Sequence, residues 1–301
     1  MFDRCYPPLN WEAFKSNWPM SDMSRWVQTP HLRWHVQILG QGPVVVLIHG
    51  TGATTHTWWQ VAPLLAKDHT VLCLDLPGHG FSSEFKALSP TPHQVAQDMA
   101  VLLKTLGLEP QVMIGHSAGA LVAAQWWLTQ GQAASPCALV AINPAWQSLP
   151  GPAQWLFPVG AWLIDLNPLS GWLLAQKALR PGMVERVLEQ TGSRLQETSI
   201  KGYRQMWQQA RHVRGVLRLM RAWDLRAVEH RLSQLQTPVQ VHVGMNDATV
   251  PPSLADAAMA LLPQAELKRW PGLGHLLHEE CPEEWVNSVR EWLSRLRQTA
   301  H

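Results

Sequence analysis

A serine between two glycines is the strongest chemical signal in this chain. Ser117 lies in the pentapeptide GHSAG, which follows the apolar run VMI and precedes a helical pattern. Gly-x-Ser-x-Gly is the spacing of a nucleophile elbow, a sharp strand-to-helix turn that presents a serine hydroxyl at the end of a strand. Gly115 and Gly119 leave the space that such a turn needs, and the helix N-terminus would direct backbone N–H groups at the site. The pentapeptide alone also fits an ordinary turn with an N-capping serine.

A serine nucleophile needs a histidine base and an acid, and both occur further along the chain. His275 lies in GLGHLLHEE after the last predicted strand, and Asp247 lies in GMNDATVPP just past the strand VQVHVG. Taken singly, Asp247 also fits an Asx turn and His275 a loop histidine. Together, their order and their places at the carboxyl ends of strands predict a triad of Ser117, His275 and Asp247. Asn143, after the strand ALVAIN, cannot carry the charge of an alternative acid.

Two backbone N–H groups are needed to stabilise the oxyanion of an acyl-transfer reaction. Ala118, next to the nucleophile, is predicted to supply one. The loop HGTGATTH offers Thr51 as the second donor, with Gly52 as the next candidate. The glycines of this loop do not complete a dinucleotide-binding fingerprint. We predict neither a cofactor nor a metal, since His275, His278 and Glu279 have no further ligand cluster beside them and a serine nucleophile needs none.

The elements that must position these residues alternate between buried strands and helices. Apolar runs at 44–50, 70–76, 112–116, 138–143, 239–244 and 265–270 predict strands, and 32–40 alternates like an edge strand. Helical spacing occurs at 56–68, 92–106, 118–130, 252–262 and 282–297. Residues 1–30 are interpreted as an irregular lead-in. The pattern predicts an α/β protein with a mostly parallel central sheet flanked by helices.

The strand–helix alternation stops between Asn143 and Pro238, where tryptophan, proline and arginine become frequent. We predict a helical cap at 145–232, inserted after the strand that ends near Asn143, and a core formed by 1–144 and 233–301. Within 203–223, five arginines fall on one predicted helix face: Arg204, Arg211, Arg214, Arg218 and Arg221. They could form a solvated face or a basic patch for carboxylates or anionic lipid heads. The apolar stretch 155–174 could line a large pocket, rest on a membrane surface or simply pack.

These features predict a small-molecule substrate that is bulky and apolar, with acidic groups. The candidate substrate-contacting residues are two histidines beside the oxyanion and nucleophile turns and four residues of the predicted cap: His49, His116, Trp146, Trp155, Arg211 and Arg218.

Composition limits the alternatives. The chain has 301 residues, of which 46% are hydrophobic and 15% charged, so a large core is expected and disorder is not. A net charge of +2 without a basic run argues against nucleic acid as a partner. Four scattered cysteines, no apolar leader and no long apolar span predict a cytoplasmic protein, with peripheral membrane contact left open.

With these motifs identified, the chain resembles the α/β-hydrolase superfamily over residues 32–297. More narrowly, it resembles the BchO-type magnesium-chelatase accessory proteins of bacteriochlorophyll synthesis. The stretches that carry this likeness include HGTGATTHTW, DLPGHGFS, GHSAGA, NPLSGW, EQTGSRL, VGMNDATVPP and LPGLGHLLHEE. The segment TGSRL at 191–195 and the tryptophan-rich ends distinguish the narrower family. This resemblance implies a role beside the magnesium-chelatase subunits, with a porphyrin as the expected ligand.

Three functions remain open on the sequence. The chain could be a serine esterase, a non-catalytic tetrapyrrole carrier or chelatase partner, or a cofactor-free oxygenase or perhydrolase that uses the same triad.

Overall fold

A single mixed sheet forms the centre of the molecule. The computed structural model describes residues 5–85, 91–130, 137–147, 167–223, 225–262 and 264–299. Within these ranges eight strands are arranged in the order β1-β2-β4-β3-β5-β6-β7-β8. Their bounds are β1 Ser24–Gln28, β2 Arg33–Leu39, β3 Val44–Ile48, β4 Thr70–Leu74, β5 Pro110–His116, β6 Ala138–Ile142, β7 Val239–Gly244 and β8 Glu266–Trp270. From β4 across to β8 all pairings are parallel, which confirms the predicted fold class.

Successive residues of the central strands belong to two different cores, which explains why these strands are apolar throughout. Val46 and Ile48 of β3 lie in one core, which also takes in helices α2 (Pro92–Leu106) and α3 (Ala118–Gln130). Val45 and Leu47 lie in the other, together with α1 (Val61–Leu65) and α11 (Pro282–Thr299). Because side chains alternate between the two faces of a strand, a sheet covered on both faces needs apolar residues at every position.

Helix α2 shows how local sequence sets the bounds of an element. The Thr91 hydroxyl accepts a hydrogen bond from Gln94 N at 3.2 Å, and Pro92 occupies the first turn, where its missing N–H costs nothing. Gly107 ends the helix in the left-handed conformation at φ 64°. The predicted range 92–106 is therefore confirmed. The predicted helix 56–68 instead divides into a 3₁₀ turn, Thr55–Trp58, and α1.

The N-terminal region departs from the prediction of an irregular lead-in. Strand β1 pairs antiparallel with β2, so β1 and not β2 forms the edge of the sheet. Trp11 and Trp18 before it pack edge-on against Phe81, with ring centroids 4.8 Å and 5.1 Å apart. The signal was weak because β1 is largely half-exposed, and such a strand lacks the apolar run that identifies a central one.

Between β6 and β7 the described residues form helices, which we call the cap helices. They are α4 (Ser170–Ala178), α5 (Met183–Glu189), α6 (Glu197–Trp207), α7 (Ala210–Ala222) and α8 (Arg226–Glu229). The prediction of a single arginine-bearing helix at 203–223 is wrong, because the chain turns at Gln208–Gln209. Arg204 lies on α6, and the other four arginines lie on α7. The division into core (1–144 and 233–301) and cap (145–232) stays a prediction.

Two short helices and one long one complete the described part of the chain: α9 Ser253–Leu261, α10 Leu277–Glu280 and α11. No helix in the described ranges combines the length and apolar character needed to cross a bilayer.

The packing of α3 predicts a large difference between two glycine substitutions. A Cβ on Gly119 would lie 2.1 Å from the Ile48 carbonyl oxygen, and a rigid central strand cannot yield that space. We expect Gly119→Ala to lower the free energy of unfolding by about 3 kcal/mol or more. Gly107→Ala meets nothing within 4 Å and should cost only about 1 kcal/mol for its left-handed backbone. Urea unfolding of both variants measures this, and equal losses would contradict the packing argument.

Candidate active site

Ser117 occupies a strained turn between β5 and α3. Its φ is 50°, a left-handed conformation that is uncommon for a residue with a Cβ. The turn is held by the Ser117 N–H, which donates to Ile142 O at 2.8 Å, and by the Ser117 carbonyl, which accepts from Ala120 N at 3.1 Å. Backbone strain of this kind persists only where the surrounding structure imposes it. The sequence motif therefore takes the conformation of a nucleophile elbow.

His275 and Asp247 come together across the ends of β7 and β8. His275 Nδ1 donates to Asp247 Oδ2 at 2.7 Å, and the carboxylate is completely buried. The other oxygen, Asp247 Oδ1, accepts from the backbone N–H groups of Thr249 and Val250 at 2.7 Å and 2.8 Å. Since the carboxylate can only accept, the proton of His275 is held at Nδ1, which leaves Nε2 as an acceptor.

His116 connects the serine turn to the base. Its ring lies 4.6 Å from that of His275, and its Nε2 donates to the His275 carbonyl oxygen at 2.9 Å. His116 therefore has a structural role, and its role as a substrate contact stays a prediction. Ser117 Oγ makes no hydrogen bond to His275 Nε2 in this closed arrangement, in which both side chains are more than nine-tenths buried. Catalytic hydrogen bonds are often formed only when substrate is bound.

His49 holds the first loop after β3 by hydrogen bonds to the backbone. His49 Nδ1 donates to Gly50 O at 2.8 Å, while its Nε2 accepts from Leu76 N at 2.9 Å. Because the Gly50–Thr51 peptide is planar and trans, the bond to the Gly50 carbonyl also restrains the direction of the Thr51 N–H. His49, predicted as a substrate contact, has no ring nitrogen left for a ligand. Burial lowers its pKa, which keeps the ring neutral as both bonds require.

The two predicted oxyanion donors of this loop differ in what they already bind. Gly52 N donates to His79 Nε2 at 3.3 Å, so this N–H is engaged within the protein. The N–H groups of Thr51 and of Ala118, the first residue of α3, find no acceptor among the described residues. This arrangement favours Thr51 and Ala118 as the pair of donors. A Cβ on Gly50 would lie 3.1 Å from Ser117 Cβ, so the glycine permits the loop to approach the serine.

Asn143 holds the histidine loop, a role that the sequence did not suggest. Its Nδ2 donates to Gly274 O at 3.1 Å and to His275 O at 2.7 Å, and its Oδ1 accepts from Gly244 N at 2.9 Å. The side chain therefore joins β6, β7 and the loop that carries the base. Its left-handed φ of 42° is one that asparagine tolerates better than most residues.

The segment at 191–195 braces the acid and the base together. The Thr191 carbonyl oxygen accepts from Ala248 N at 3.3 Å and from His275 N at 3.2 Å. Ser193 Oγ accepts from Leu276 N at 2.8 Å. A stretch noted in the sequence only as a family resemblance thus contacts both loops of the His275–Asp247 pair.

The remaining predicted substrate contacts are placed elsewhere or fall outside the described residues. Trp146 is fully buried, and its Nε1 donates to Ala120 O at 3.0 Å within the core beneath α3. Arg211 and Arg218 converge with Arg214 on one carboxylate, Glu84, at 3.8, 2.6 and 2.7 Å. The basic face of α7 therefore binds a carboxylate that the chain itself supplies. Trp155 lies outside the described residues.

A second serine–histidine–aspartate contact lies near the sheet edge. Ser24 Oγ lies 3.0 Å from His35 Nε2, and His35 Nδ1 donates to Asp75 Oδ2 at 2.7 Å. Asp75 also accepts from the backbone N–H groups of Thr55 and Phe81, at 2.7 Å and 3.0 Å. These bonds give Asp75 a structural role: it holds the loops after β3 and β4 together. Because Ser24 contacts a histidine that is paired with an aspartate, it is a stringent control for any test of serine reactivity.

A buried carboxyl joins α10 to the cap helices. Tyr203 of α6 donates to Glu279 Oε1 at 2.7 Å, and Thr57 donates to the same oxygen. His278 Nε2 lies 3.0 Å from Thr57 Oγ1. Burial raises the pKa of Glu279 to about 7, although the hydroxyl donors oppose the shift. Despite this clustering, no three metal-ligating side chains in the described ranges are arranged around a common point.

We predict that Asn143→Asp is strongly destabilising. The introduced carboxylate would face two carbonyl oxygens in a buried position, where it has no donor to offer when ionised. We expect a loss of about 3 kcal/mol in the free energy of unfolding at pH 8, shrinking at lower pH as the carboxylate is protonated. Asn246→Asp is the matched control, because Asn246 also donates to a loop carbonyl, Gly272 O at 3.0 Å, but is exposed. Similar losses in the two variants would refute the role given to Asn143.

The raised pKa of Glu279 predicts a pH-dependent stability. Between its ordinary pKa, 4.5, and about 7, the unfolded chain releases this proton while the folded protein retains it. Stability therefore falls as pH rises through this window, by up to about 3 kcal/mol for this group. Glu279→Gln has no such proton, so its unfolding free energy should not show this fall. Urea unfolding at pH 4.5, 6 and 8 measures the slope, with the exposed Glu283→Gln as control; an unchanged slope in Glu279→Gln argues against the assignment.

Known proteins resemble this chain over most of its length. The Alpha/beta hydrolase family matches residues 45–289. The Magnesium-chelatase 30 kDa subunit of Rhodobacter capsulatus is 31% identical over 284 residues, covering 93% of this chain and 98% of that protein. The Putative carbamate hydrolase RutD of Escherichia coli O103:H2 is 27% identical over 247 residues, covering 80% and 87%.

Solved structures agree on the fold. The esterase from Exiguobacterium antarcticum superposes with a TM-score of 0.74 at 16% identity, covering 90% of this chain and 100% of that one. The family match and the full-length relative together show that this chain belongs to the α/β-hydrolase family and resembles, within it, the magnesium-chelatase 30 kDa subunit.

Proposed function

We propose that this protein is a serine hydrolase that cleaves an ester of a bulky apolar substrate. The observation that carries the proposal is the buried His275–Asp247 pair, bonded at 2.7 Å and placed beside the strained Ser117 turn. An aspartate that holds a histidine by Nδ1 leaves Nε2 to accept a proton from the serine. The three residues follow β5, β7 and β8, whose parallel pairing with β6 and with each other brings their carboxyl ends to one edge of the sheet.

The reaction would proceed by acyl transfer. As Ser117 Oγ attacks the ester carbonyl carbon, His275 Nε2 takes the hydroxyl proton and Asp247 stabilises the imidazolium. The N–H groups of Ala118 and Thr51 would hold the oxyanion. When the intermediate collapses, His275 gives its proton to the leaving alkoxide, and an acyl-serine remains. Water, deprotonated by the same histidine, then attacks the acyl group. His275 gives this proton to Ser117 Oγ as the acyl–oxygen bond breaks, which releases the acid and restores the serine.

The physiological setting is inferred from the full-length relative. Because the resemblance to the Magnesium-chelatase 30 kDa subunit extends over 93% of the chain, we propose that this protein acts beside chelatase subunits on a porphyrin-type ligand. Only 8% of Ser117 is exposed in this structure. This small exposed fraction limits the direct access of a bulky ligand to the serine.

A non-catalytic role is the second candidate. The name of the same relative is that of a chelatase subunit, and the closed site without a serine–histidine hydrogen bond is compatible with a carrier or chelatase partner.

We expect a fluorophosphonate probe to label the protein at Ser117. Labelling followed by peptide mass spectrometry should be lost in Ser117→Ala and retained in Ser24→Ala, which removes the serine that contacts the His35–Asp75 pair. Hydrolysis of p-nitrophenyl butyrate should fall by about 10³-fold or more in Ser117→Ala. Absence of labelling in the folded wild-type protein, or labelling at Ser24 alone, would contradict the proposed hydrolase.

A complementation experiment then separates the two candidate functions. A strain that depends on this protein for magnesium-tetrapyrrole synthesis is supplied with the wild-type or the Ser117→Ala chain. Loss of pigment with accumulation of a porphyrin ester supports the hydrolase, whereas full pigment synthesis by Ser117→Ala supports the carrier.

A further inference from the structure

Two hydrogen bonds from the cap helices meet at one carbonyl group of the oxyanion loop. Gly52 O accepts from Trp207 Nε1 of α6 at 2.8 Å and from His212 Nε2 of α7 at 3.2 Å. These two donors come from either side of the turn at Gln208–Gln209. A carbonyl oxygen has two lone pairs, so the two N–H groups satisfy it fully.

Gly52 is well suited to being held in this way. Its φ of 78° is left-handed, a conformation that glycine adopts without strain. A Cβ at this position would lie 3.4 Å from Trp207 Nε1, so the indole packs directly against the glycine backbone. The neighbouring residue Thr51 carries an N–H group for which no acceptor is found among the described residues.

Three successive peptide groups of the loop, between Gly50 and Ala53, are each bonded to a side chain, and the last of them is bonded by the cap helices. The core holds the first through His49, which binds the Gly50 carbonyl, and the second through His79, which accepts from Gly52 N. The third carries the Gly52 carbonyl, which accepts from Trp207 and His212, and the Ala53 N–H, which donates to Gly50 O at 3.2 Å within the loop. Without the two side-chain donors, no hydrogen bond would join this peptide to another element among the described residues.

His212 is placed to hold two loops at once. Its Nδ1 accepts from Gly80 N at 3.0 Å, so the ring must be neutral with its proton on Nε2, where it donates to Gly52 O. Burial lowers the pKa of His212 to about 4, which maintains this form at neutral pH. Helix α7 can approach so closely because Gly215 faces Gly78, where a Cβ would lie 2.0 Å from Gly78 O.

We propose that Trp207 and His212 are positioning residues for the oxyanion hole, which is completed only when the cap helices are docked on the core. The inference rests on the proposed hydrolase function and adds to it a coupling between cap docking and transition-state stabilisation. An oxyanion hole works because its donors are already in place when charge develops, so a loose loop lowers the rate without changing ground-state binding. The cap therefore acts on kcat as well as covering the site.

The first test compares two tryptophan substitutions that remove the same kind of bond. Trp207→Phe removes the donor to Gly52. Trp59→Phe removes a bond between the core and α6, from Trp59 Nε1 to Ser199 Oγ at 3.0 Å, that does not touch the oxyanion loop. With p-nitrophenyl butyrate, Trp207→Phe should lower kcat roughly tenfold with KM within about twofold, while Trp59→Phe should leave both within about twofold. Thermal unfolding checks that the two variants lose similar stability.

The second test removes the hydrogen bond of one His212 ring nitrogen at a time. An asparagine amide reaches the position of Nδ1 and can keep the acceptor for Gly80, whereas a glutamine amide reaches that of Nε2 and can keep the donor to Gly52. His212→Gln should therefore retain several-fold more kcat than His212→Asn. The double variant Trp207→Phe/His212→Asn should lose about 100-fold, since both donors to Gly52 are gone.

The outcomes separate the two proposals. If the wild-type protein neither reacts with the probe nor hydrolyses the ester, the proposed function fails, and this inference fails with it. If the wild type is active and Trp207→Phe matches Trp59→Phe, or His212→Asn matches His212→Gln, the hydrolase stands and the positioning role is overturned.

Discussion

The left-handed backbone of Ser117 is the constraint on which the rest of the site depends. A residue with a Cβ takes this conformation only where its neighbours leave it no alternative, and here Ile142 of β6, Ala120 of α3 and Ala145 all bond to the turn. The turn also requires close approach on both sides: Gly119 lies against the Ile48 carbonyl and Gly50 against Ser117 itself. The loops that carry Thr51, Asp247 and His275 are then arranged around this one fixed point.

Side-chain hydrogen bonds to backbone carbonyl groups restrain these loops. The His275 carbonyl accepts from Asn143 and His116, and the Gly52 carbonyl accepts from Trp207 and His212. In both cases two side-chain donors from different elements converge on one backbone oxygen near a reactive group. Bonds of this kind restrain a loop without using its outward-facing N–H groups. Hydrogen bonds of this type therefore position the loop that carries His275 and leave the Thr51 N–H group available.

Neutral histidines make this network possible. His49, His79 and His212 are each bonded through both nitrogens, one as donor and one as acceptor, and only an uncharged ring can do this. Burial lowers the pKa of all three. These three histidines thus serve loop geometry, whereas His275 is paired with a carboxylate, that of Asp247.

The sequence by itself determined the parallel sheet, the elbow around Ser117 and the pairing of Asp247 with His275. Those features are encoded locally, by apolar runs, by Gly-x-Ser-x-Gly and by the position of polar residues just after strands. Tertiary structure alone decided that Asn143 and Thr191 brace the histidine loop, that His49 binds backbone and that Arg211 and Arg218 pair with Glu84. These contacts join residues far apart in the chain, and a single side chain carries no local pattern that identifies its partner. The edge strand β1 was missed for the same reason, because a half-exposed strand is defined by the neighbour it pairs with.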